Sequence, residues 1–274
     1  MYPFVKWAGG KRQLLNEIQM RLPIEYGDYY EPFVGGGALL FELAPKKAVI
    51  NDLTTELIDT YITIRDNHDA LIEKLLLHQH AHKNAPEEYY YKMRALDRDD
   101  NWKNQSKLTK TSRFMYLNKS CFNGLYRVNS KGFFNVPFNK KSEINIFNED
   151  NLKEIHQYLK NSVDIYNKDF YEVAILAKKG DFVFFDPPYD LLKKDTFDSY
   201  TKDAFGEEGQ RRLAELFHKL SDRGCYLMLT NHNTTLINEL YANYNIEVVQ
   251  VKRMINSDSK NRKGEEVIIT NYER

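Results

Sequence analysis

The sequence predicts an α/β fold, a parallel sheet with helices on both faces, interrupted by a mainly helical insertion that carries a β-hairpin. Three observations predict it. Short apolar runs alternate with stretches of helical spacing toward both ends of the chain. Residues 55–165 lose that alternation and become rich in amides, tyrosine and lysine. No repeat or low-complexity linker separates the parts, so the middle reads as an insertion into the α/β domain. The expected boundaries are 1–54 and 166–274 for the α/β domain and 55–165 for the insertion.

The elements follow in order. Asp28 to Val34 is extended and runs into Gly35-Gly36-Gly37, after which Ala38 to Leu43 begins a helix. Ala48 to Asp52 reads as a short buried strand, followed by a helix from about Thr54 to Arg65. Asp181 to Phe185 is continuously apolar after its first residue, as expected inside a parallel sheet. Leu213, Leu216, Phe217 and Leu220 fall at helical spacing, and Gly224 can cap that helix. Cys225 to Leu229 is another buried strand, and 234–243 looks helical. Ile246 to Val251 and Glu266 to Thr270 are strands joined by the polar stretch Asn256 to Gly264. Inside the insertion, Asn118 to Phe138 is rich in Gly, Asn and aromatics. There, Asn129-Ser130-Lys131-Gly132 lies between Tyr126-Arg127-Val128 and Phe133 to Val136 as a hairpin turn.

Composition excludes several classes. A chain of 274 residues with 42% apolar content can bury a core without covalent staples. Lys+Arg and Asp+Glu are both 39, which excludes a histone-like polybasic protein but not a local basic face. Two cysteines make no disulfide framework, so a reducing cytoplasm is the simplest setting. The start lacks the apolar core of a signal peptide, and no apolar run approaches the roughly 20 residues that cross a bilayer, so no membrane partner is expected. The 19 Tyr and 16 Phe suit either an ordinary core or stacking surfaces.

Charge is unevenly distributed. From Asn101 to Lys141 there are nine basic residues and no acid: Lys103, Lys107, Lys110, Arg113, Lys119, Arg127, Lys131, Lys140 and Lys141. Lys252 to Lys263 adds five bases against Asp258. Such a segment reads either as a solvated surface or as a face for a polyanion, and the absence of any acid favours the polyanion.

The sharpest motif is Asp186-Pro187-Pro188-Tyr189, directly after a buried strand, where open α/β sheets bind ligands. Two prolines fix the backbone, so the Asp186 carboxylate and the Pro187 carbonyl become two acceptors side by side. That pair suits a planar NH2 group, and the Tyr189 ring supplies a stacking face. The competing reading is a rigid turn. Glu31-Pro32-Phe33-Val34-Gly35-Gly36-Gly37 allows close approach of a ligand to the backbone; it is neither a P-loop nor G-x-G-x-x-G. Asp52, ending the next strand, stands where ribose hydroxyls bind or else caps a helix. Lys6-Trp7-Ala8-Gly9-Gly10-Lys11 offers an aromatic and a cation around a close-approach site, or is a flexible loop.

These residues resemble the Dam-like, D12-class family of DNA N6-adenine methyltransferases, and within it the Dpn-type GATC methylases. The likeness covers nearly the whole chain and keeps the order: glycine motif, recognition segment N-G-L-Y-R-V-N-S-K…F-N-V-P-F, then D-P-P-Y. It implies a Rossmann-like sheet binding S-adenosylmethionine, with S-adenosylhomocysteine as product and no metal. It places the cofactor at Trp7, Lys11, Phe33, Gly35, Gly37, Asp52, Asp169, Phe170 and Asp186, and double-stranded DNA at the insertion. Phe122 matches an aromatic that enters the duplex. Asn123, Leu125, Arg127 and Pro137 match positions that meet bases, and Lys6 matches a lysine that reads the outer guanine. Lys119, Asn129, Asn135 and Lys140 complete the DNA-facing set. The pattern departs from the family after Phe138, where Asn139-Lys140-Lys141 stands in place of an Arg-Tyr pair.

The chemistry implied by D-P-P-Y is methylation of an exocyclic amine on a base taken out of the stack. It needs alignment and electrostatic preorganisation without a covalent enzyme intermediate. Cys121 and Cys225 follow Ser120 and Gly224, so neither forms the Pro-Cys pair of cytosine C5 chemistry; each is expected in the core. His78, His80 and His82 alternate on a helix without zinc spacing, are expected not to share a face, and read as solvated or incidental. Methylation of cytosine N4, of RNA, or of another DNA sequence, and an inactive DNA-binding relative, are the alternatives. A restriction endonuclease is a candidate functional partner, and a monomer or weak dimer the expected assembly.

Overall fold

A computed structural model describes residues 1–7, 14–191, 205–252 and 263–273. Lys11, Gly9 and Gly10 of the N-terminal motif, and most of the Asn256 to Gly264 stretch, lie outside the described residues.

The element order is α1 (Leu15–Met20), β1 (Tyr29–Glu31), α2 (Ala38–Leu43), β2 (Ala48–Asn51), α3 (Thr55–Asp66), α4 (His68–Asn84), α5 (Pro86–Ala95), α6 (Lys107–Ser120) and α7 (Glu149–Ser162). It continues with β3 (Val163–Tyr166), α8 (Phe170–Ala174), β4 (Phe182–Phe185), α9 (Gly206–Arg223), β5 (Tyr226–His232), α10 (Thr235–Leu240), β6 (Asn245–Lys252) and β7 (Lys263–Thr270). Among the described residues the strands form one seven-stranded sheet in the order β3-β2-β1-β4-β5-β7-β6. This is the Rossmann-like methyltransferase α/β architecture expected from the sequence. The extended Asp28 to Val34 segment is strand only at Tyr29–Glu31, because Pro32 has no N–H for a ladder.

Two compact units share the chain. One comprises Met1–Gly10, Gly35–Ala44 and Thr54–Asn167 and is mainly helical. The other comprises Lys11–Val34, Pro45–Leu53 and Lys168–Arg274 and holds the remaining strands. In this sheet unit, β4 is buried at all four positions, which is why its sequence is apolar on both faces. It lies parallel to β1, with Tyr30 opposite Val183, and to β5, with Phe185 opposite Leu229. Chain order runs outward from β1 and β4 in opposite directions, so their C-terminal ends meet at the topological switch point.

In the helical unit, α3 packs on α6 and α7, and α4 on α6. Ser106 caps α6 by accepting from Thr109 N (3.2 Å), and Asn148 caps α7 by accepting from Asn151 N (2.8 Å). The recognition segment forms the turn expected of it. Gly132 N donates to Asn129 O at 2.9 Å, and Asn129 Oδ1 accepts from Lys131 N and Phe133 N, both at 3.0 Å. Its arms are joined only by isolated bridges, Val128 to Phe134 and Cys121 to Phe138, so the expected hairpin has no continuous ladder.

Two expectations are corrected here. His78 and His82 are not solvated: at i and i+4 they share the inner face of α4. His78 stacks on Tyr116 at 5.2 Å and bonds Tyr89 Oη (2.7 Å), while fully buried His82 bonds Tyr116 Oη (2.9 Å) and the Lys141 carbonyl (3.0 Å). Burial pushes the His78 imidazole down from about 6.5 to about 4. The unfolded chain therefore takes up this proton before the folded chain does, and the stability contributed is whole above about pH 6.5 and lost as pH falls toward 4. A His78→Gln chain should show a shallower drop in its urea midpoint between pH 7 and pH 5 than the wild type.

The basic segment is likewise not all surface. Arg113 is turned inward, 7% exposed, and Lys107 pairs with Asp59 at 2.6 Å. Both cysteines are buried, as expected, and burial pushes each thiol up to about 11, away from nucleophilic use. No described helix is long and apolar enough to cross a membrane.

Candidate active site

Asp186 to Tyr189 leave the C-terminal end of β4 and are held on several sides within the sheet unit. Gln210 Nε2, from α9, donates to the Pro188 carbonyl at 2.8 Å. Gln210 Oε1 in turn accepts from Asn231 Nδ2 (3.1 Å), and Asn231 Oδ1 accepts from Asp190 N (2.9 Å). Two buried amides thus pin the loop after the prolines. Among the described residues no hydrogen bond occupies the Pro187 carbonyl. Asp186 is half-buried, and its Oδ1 accepts from the Thr230 hydroxyl at 2.8 Å. Tyr189 Oη donates to Glu266 Oε2 at 3.0 Å, and its ring meets His232 edge-on at 4.9 Å. Burial, reinforced by the charges of Asp186 and Glu266, drives the Tyr189 hydroxyl well above the usual phenol range, so it remains a donor.

The neighbouring strand ends supply the other groups of this unit. Phe33 stacks on Phe170 (5.2 Å, 29°), and Phe205 meets both rings at 5.6 Å. Asp169 caps α8 through Tyr171 N (3.0 Å) and pairs with Arg212 (3.1 Å), whose guanidinium lies 5.2 Å over Phe170. Asn51 bonds three backbone groups, Pro32 O, Lys168 O and Lys168 N, tying the ends of these loops together. Asp52 is half-buried and lies two residues before Thr54, the cap position of α3.

In the helical unit, Trp7 lies against the glycine loop. A Cβ on Gly35 (φ +50) would meet Trp7 Cδ1 at 2.9 Å, and one on Gly37 (φ +73) would meet Tyr61 Oη at 2.6 Å. Both glycines are therefore required by packing as well as by backbone conformation. Tyr61 Oη donates to Gly35 O at 3.0 Å.

The same unit carries the residues that the family resemblance leads one to expect at DNA. Phe122 is 50% exposed. Asn123 (φ 55), Leu125, Arg127, Asn129, Pro137, Lys140 (φ 62) and Lys6 are exposed; Lys119 and Asn135 are half-buried. Asn118 clamps the chain here. Its Nδ2 donates to Lys6 O (2.8 Å) and Gly124 O (3.1 Å), and its Oδ1 accepts from Lys6 N (2.8 Å). A Cβ on Gly124 (φ +67) would fall 2.6 Å from Lys6 Cβ, so only glycine lets the Lys6 chain lie on this loop. Asn135 Oδ1 accepts from Arg127 Nε at 2.7 Å, and Asn129 is spent on its own turn. Phe138, where the departure from the family pattern begins, is core, packed on Tyr90 (5.1 Å) and His82.

The sequence pattern of the family described as D12 class N6 adenine-specific DNA methyltransferase matches residues 7–255. The chain belongs to that family. It is 44% identical over 273 residues to Type II methyltransferase M1.LlaDCHI of Lactococcus lactis subsp. cremoris, covering 98% of this chain and 95% of the relative. It is 42% identical over 290 residues to Type II methyltransferase M.MjaIII of Methanocaldococcus jannaschii, covering 98% and 99%. It is 31% identical over 271 residues to the DNA adenine methylase of Escherichia coli K12, covering 98% and 94%.

Several residues that shape this methyltransferase were not singled out from sequence. Thr230 and Asn231 are 0% exposed polar residues inside an otherwise apolar strand, which was the available signal. Gln210, Glu266, Asn118 and Arg212 carry none, since their partners lie far away in sequence. Among the described residues no cluster of His, Cys, Asp or Glu forms a metal set.

Proposed function

We propose that this adenine methyltransferase takes its methyl group from S-adenosylmethionine, acts on an adenine flipped from duplex DNA, and does so within GATC. The observation that carries the reading is the pinned Asp186-Pro187-Pro188-Tyr189 corner at the switch point of the sheet. The residues present fit the cofactor. In the sheet unit, Phe33, Asp52, Asp169, Phe170 and Asp186 offer stacking faces and carboxylates at strand ends. In the helical unit, Trp7 lies against Gly35 and Gly36 of the glycine bend; Lys11 lies outside the described residues. When bound, S-adenosylmethionine supplies an electrophilic methyl carbon on a sulfonium and leaves as S-adenosylhomocysteine.

The chain's own groups do the rest. Asp186 and the Pro187 carbonyl accept the two N–H bonds of the adenine amine and so orient its nitrogen lone pair. Both acceptors favour the positive charge that develops on that nitrogen as it forms the new C–N bond. The surplus proton leaves the nitrogen after transfer. Tyr189 stacks on the base, offsetting an unstacking cost of roughly a few kcal/mol.

Residues 55–165 would read the DNA, with Phe122 as the wedge. The GATC assignment rests on the match of Lys6, Asn123, Leu125, Arg127 and Pro137 to the reading positions of the Dpn-type group. Arg127, tethered to Asn135 through Nε (2.7 Å) and more loosely through Nη2 (3.5 Å), would turn its guanidinium to guanine as a fork once the longer bond is exchanged, worth about 1–3 kcal/mol against a wrong base. The test is incubation of the protein with labelled S-adenosylmethionine and mixed-sequence duplex DNA, followed by mapping of the modified bases. GATC adenines should carry the label. An Arg127→Ala chain should spread label to sites differing at one base pair; label at an unrelated sequence in the wild type contradicts the assignment.

A further inference from the structure

Asp186 and Tyr189 are gripped by residues that no motif marks. Thr230 and His232 lie two positions apart on β5 and so on one face of the strand. Antiparallel pairing sets Glu266 of β7 directly opposite His232. From this one patch of the sheet, Thr230 Oγ1 donates to Asp186 Oδ1 (2.8 Å), Glu266 Oε2 accepts from Tyr189 Oη (3.0 Å), and His232 meets the Tyr189 ring at 76°. His232 is held in turn, Nδ1 against the Asp190 carbonyl at 2.7 Å. Thr230 is fully buried and has no exposed role to explain its hydroxyl.

We propose that Thr230 and Glu266 are positioning residues for methyl transfer. Thr230 sets the rotation of the Asp186 carboxylate, and Glu266, acting through the phenol, sets the plane of the Tyr189 ring. A terminal carboxylate torsion is intrinsically broad, so without a fixed donor the acceptor pair loses its alignment. The Tyr189 ring is likewise held through its hydroxyl, which donates to Glu266 and which Thr230 also reaches. Neither residue touches the reacting atoms, so each acts on the rate of transfer and not on substrate affinity. The inference rests on the function proposed above.

The test measures single-turnover methyl transfer into the duplex site mapped for the wild type, together with equilibrium binding of that duplex and of S-adenosylmethionine. Thr230→Val keeps the side-chain shape without the donor, and Thr230→Ser keeps the donor. Glu266→Leu removes the acceptor, and Glu266→Gln keeps an acceptor oxygen without the charge. Thr230→Val and Glu266→Leu should each slow transfer about 10- to 100-fold while both binding constants stay within about twofold. Thr230→Ser and Glu266→Gln should transfer at close to the wild-type rate. Placed on Tyr189→Phe, Glu266→Leu should cost nothing further, because the phenol through which it acts is gone.

Wild-type transfer rates in Thr230→Val and Glu266→Leu would overturn the inference alone. So would a loss that Thr230→Ser and Glu266→Gln share, or a full Glu266→Leu loss on Tyr189→Phe. Where valine or leucine prevents folding, Thr230→Ala and Glu266→Ala, which remove the same donor and acceptor, carry the same comparison against Thr230→Ser and Glu266→Gln. A wild-type chain that labels no DNA overturns the proposed function and this inference with it.

Discussion

A chain with Asp186 replaced by alanine is expected to fold, to bind duplex DNA as the wild type does, and to transfer methyl groups about 10²- to 10³-fold more slowly. The corner keeps its backbone in this variant, because Gln210 holds the Pro188 carbonyl and Asn231 holds Asp190 N independently of the Asp186 side chain. What disappears is one of two acceptors aimed at the amine, and with it the charge that favours the cationic nitrogen of the transition state. The buried Thr230 hydroxyl also loses its acceptor, which costs about 1–3 kcal/mol of stability at most. Gel-shift binding and single-turnover transfer, measured on one preparation, separate the two effects. Undiminished transfer would remove Asp186 from the mechanism.

The second large effect lies in the helical unit. Asp97→Ala is expected to destabilise that unit by about 3–5 kcal/mol and to abolish tight DNA binding. Asp97 accepts from Arg98 Nη1 (2.6 Å), Arg113 Nη2 (2.9 Å) and the backbone N of Phe134 (2.8 Å). Arg98 Nη2 also donates to Phe134 O at 2.9 Å, so both backbone groups of that residue are docked on the short 3-10 turn Leu96–Arg98 that follows α5. Phe134 immediately precedes Asn135, which holds Arg127. Removing Asp97 therefore leaves a buried guanidinium without its counter-charge and frees the arm that carries Arg127, the arginine proposed to read a base. Burial already presses the Arg113 pKa downward against the support of Asp97, which shows how much this cation depends on its partner. Urea unfolding and DNA titration of the variant check the two parts; an unmoved urea midpoint would mean that the ion pair holds nothing.

How much of this was legible in the sequence follows from where each interaction is encoded. β4 and its D-P-P-Y corner were readable because burial on both faces writes an apolar run, and two prolines mark its end. The glycine bend was readable for a related reason, although the neighbours that forbid a side chain, Trp7 and Tyr61, were not. The turn at Asn129 to Gly132 has local chemistry and was found; the pairing of its arms is set by docking on Asp97 and Arg98, outside the segment, and came out weaker than expected. A charge count has no direction, so Arg113 was counted with the surface cations although it points into the core. Helical spacing of His78 and His82 would have placed them on one face, but their tyrosine partners come from α5 and α6, 11 and 34 residues away. Thr230 and Glu266 reach Asp186 and Tyr189 only through the pairing of β4 with β5 and of β5 with β7, relations that a linear reading does not contain.

The central claim is that the corner after β4 grips the amine of an extruded adenine and directs it at a methyl carbon. It is tested most directly by digesting duplex DNA to nucleosides after incubation with the protein and deuterated-methyl S-adenosylmethionine, and resolving the products by mass spectrometry. The account predicts N6-methyldeoxyadenosine carrying the deuterated methyl, lost in the Asp186→Ala chain. Label found only in N4-methyldeoxycytidine, or in adenine at equal rates with and without Asp186, would contradict it.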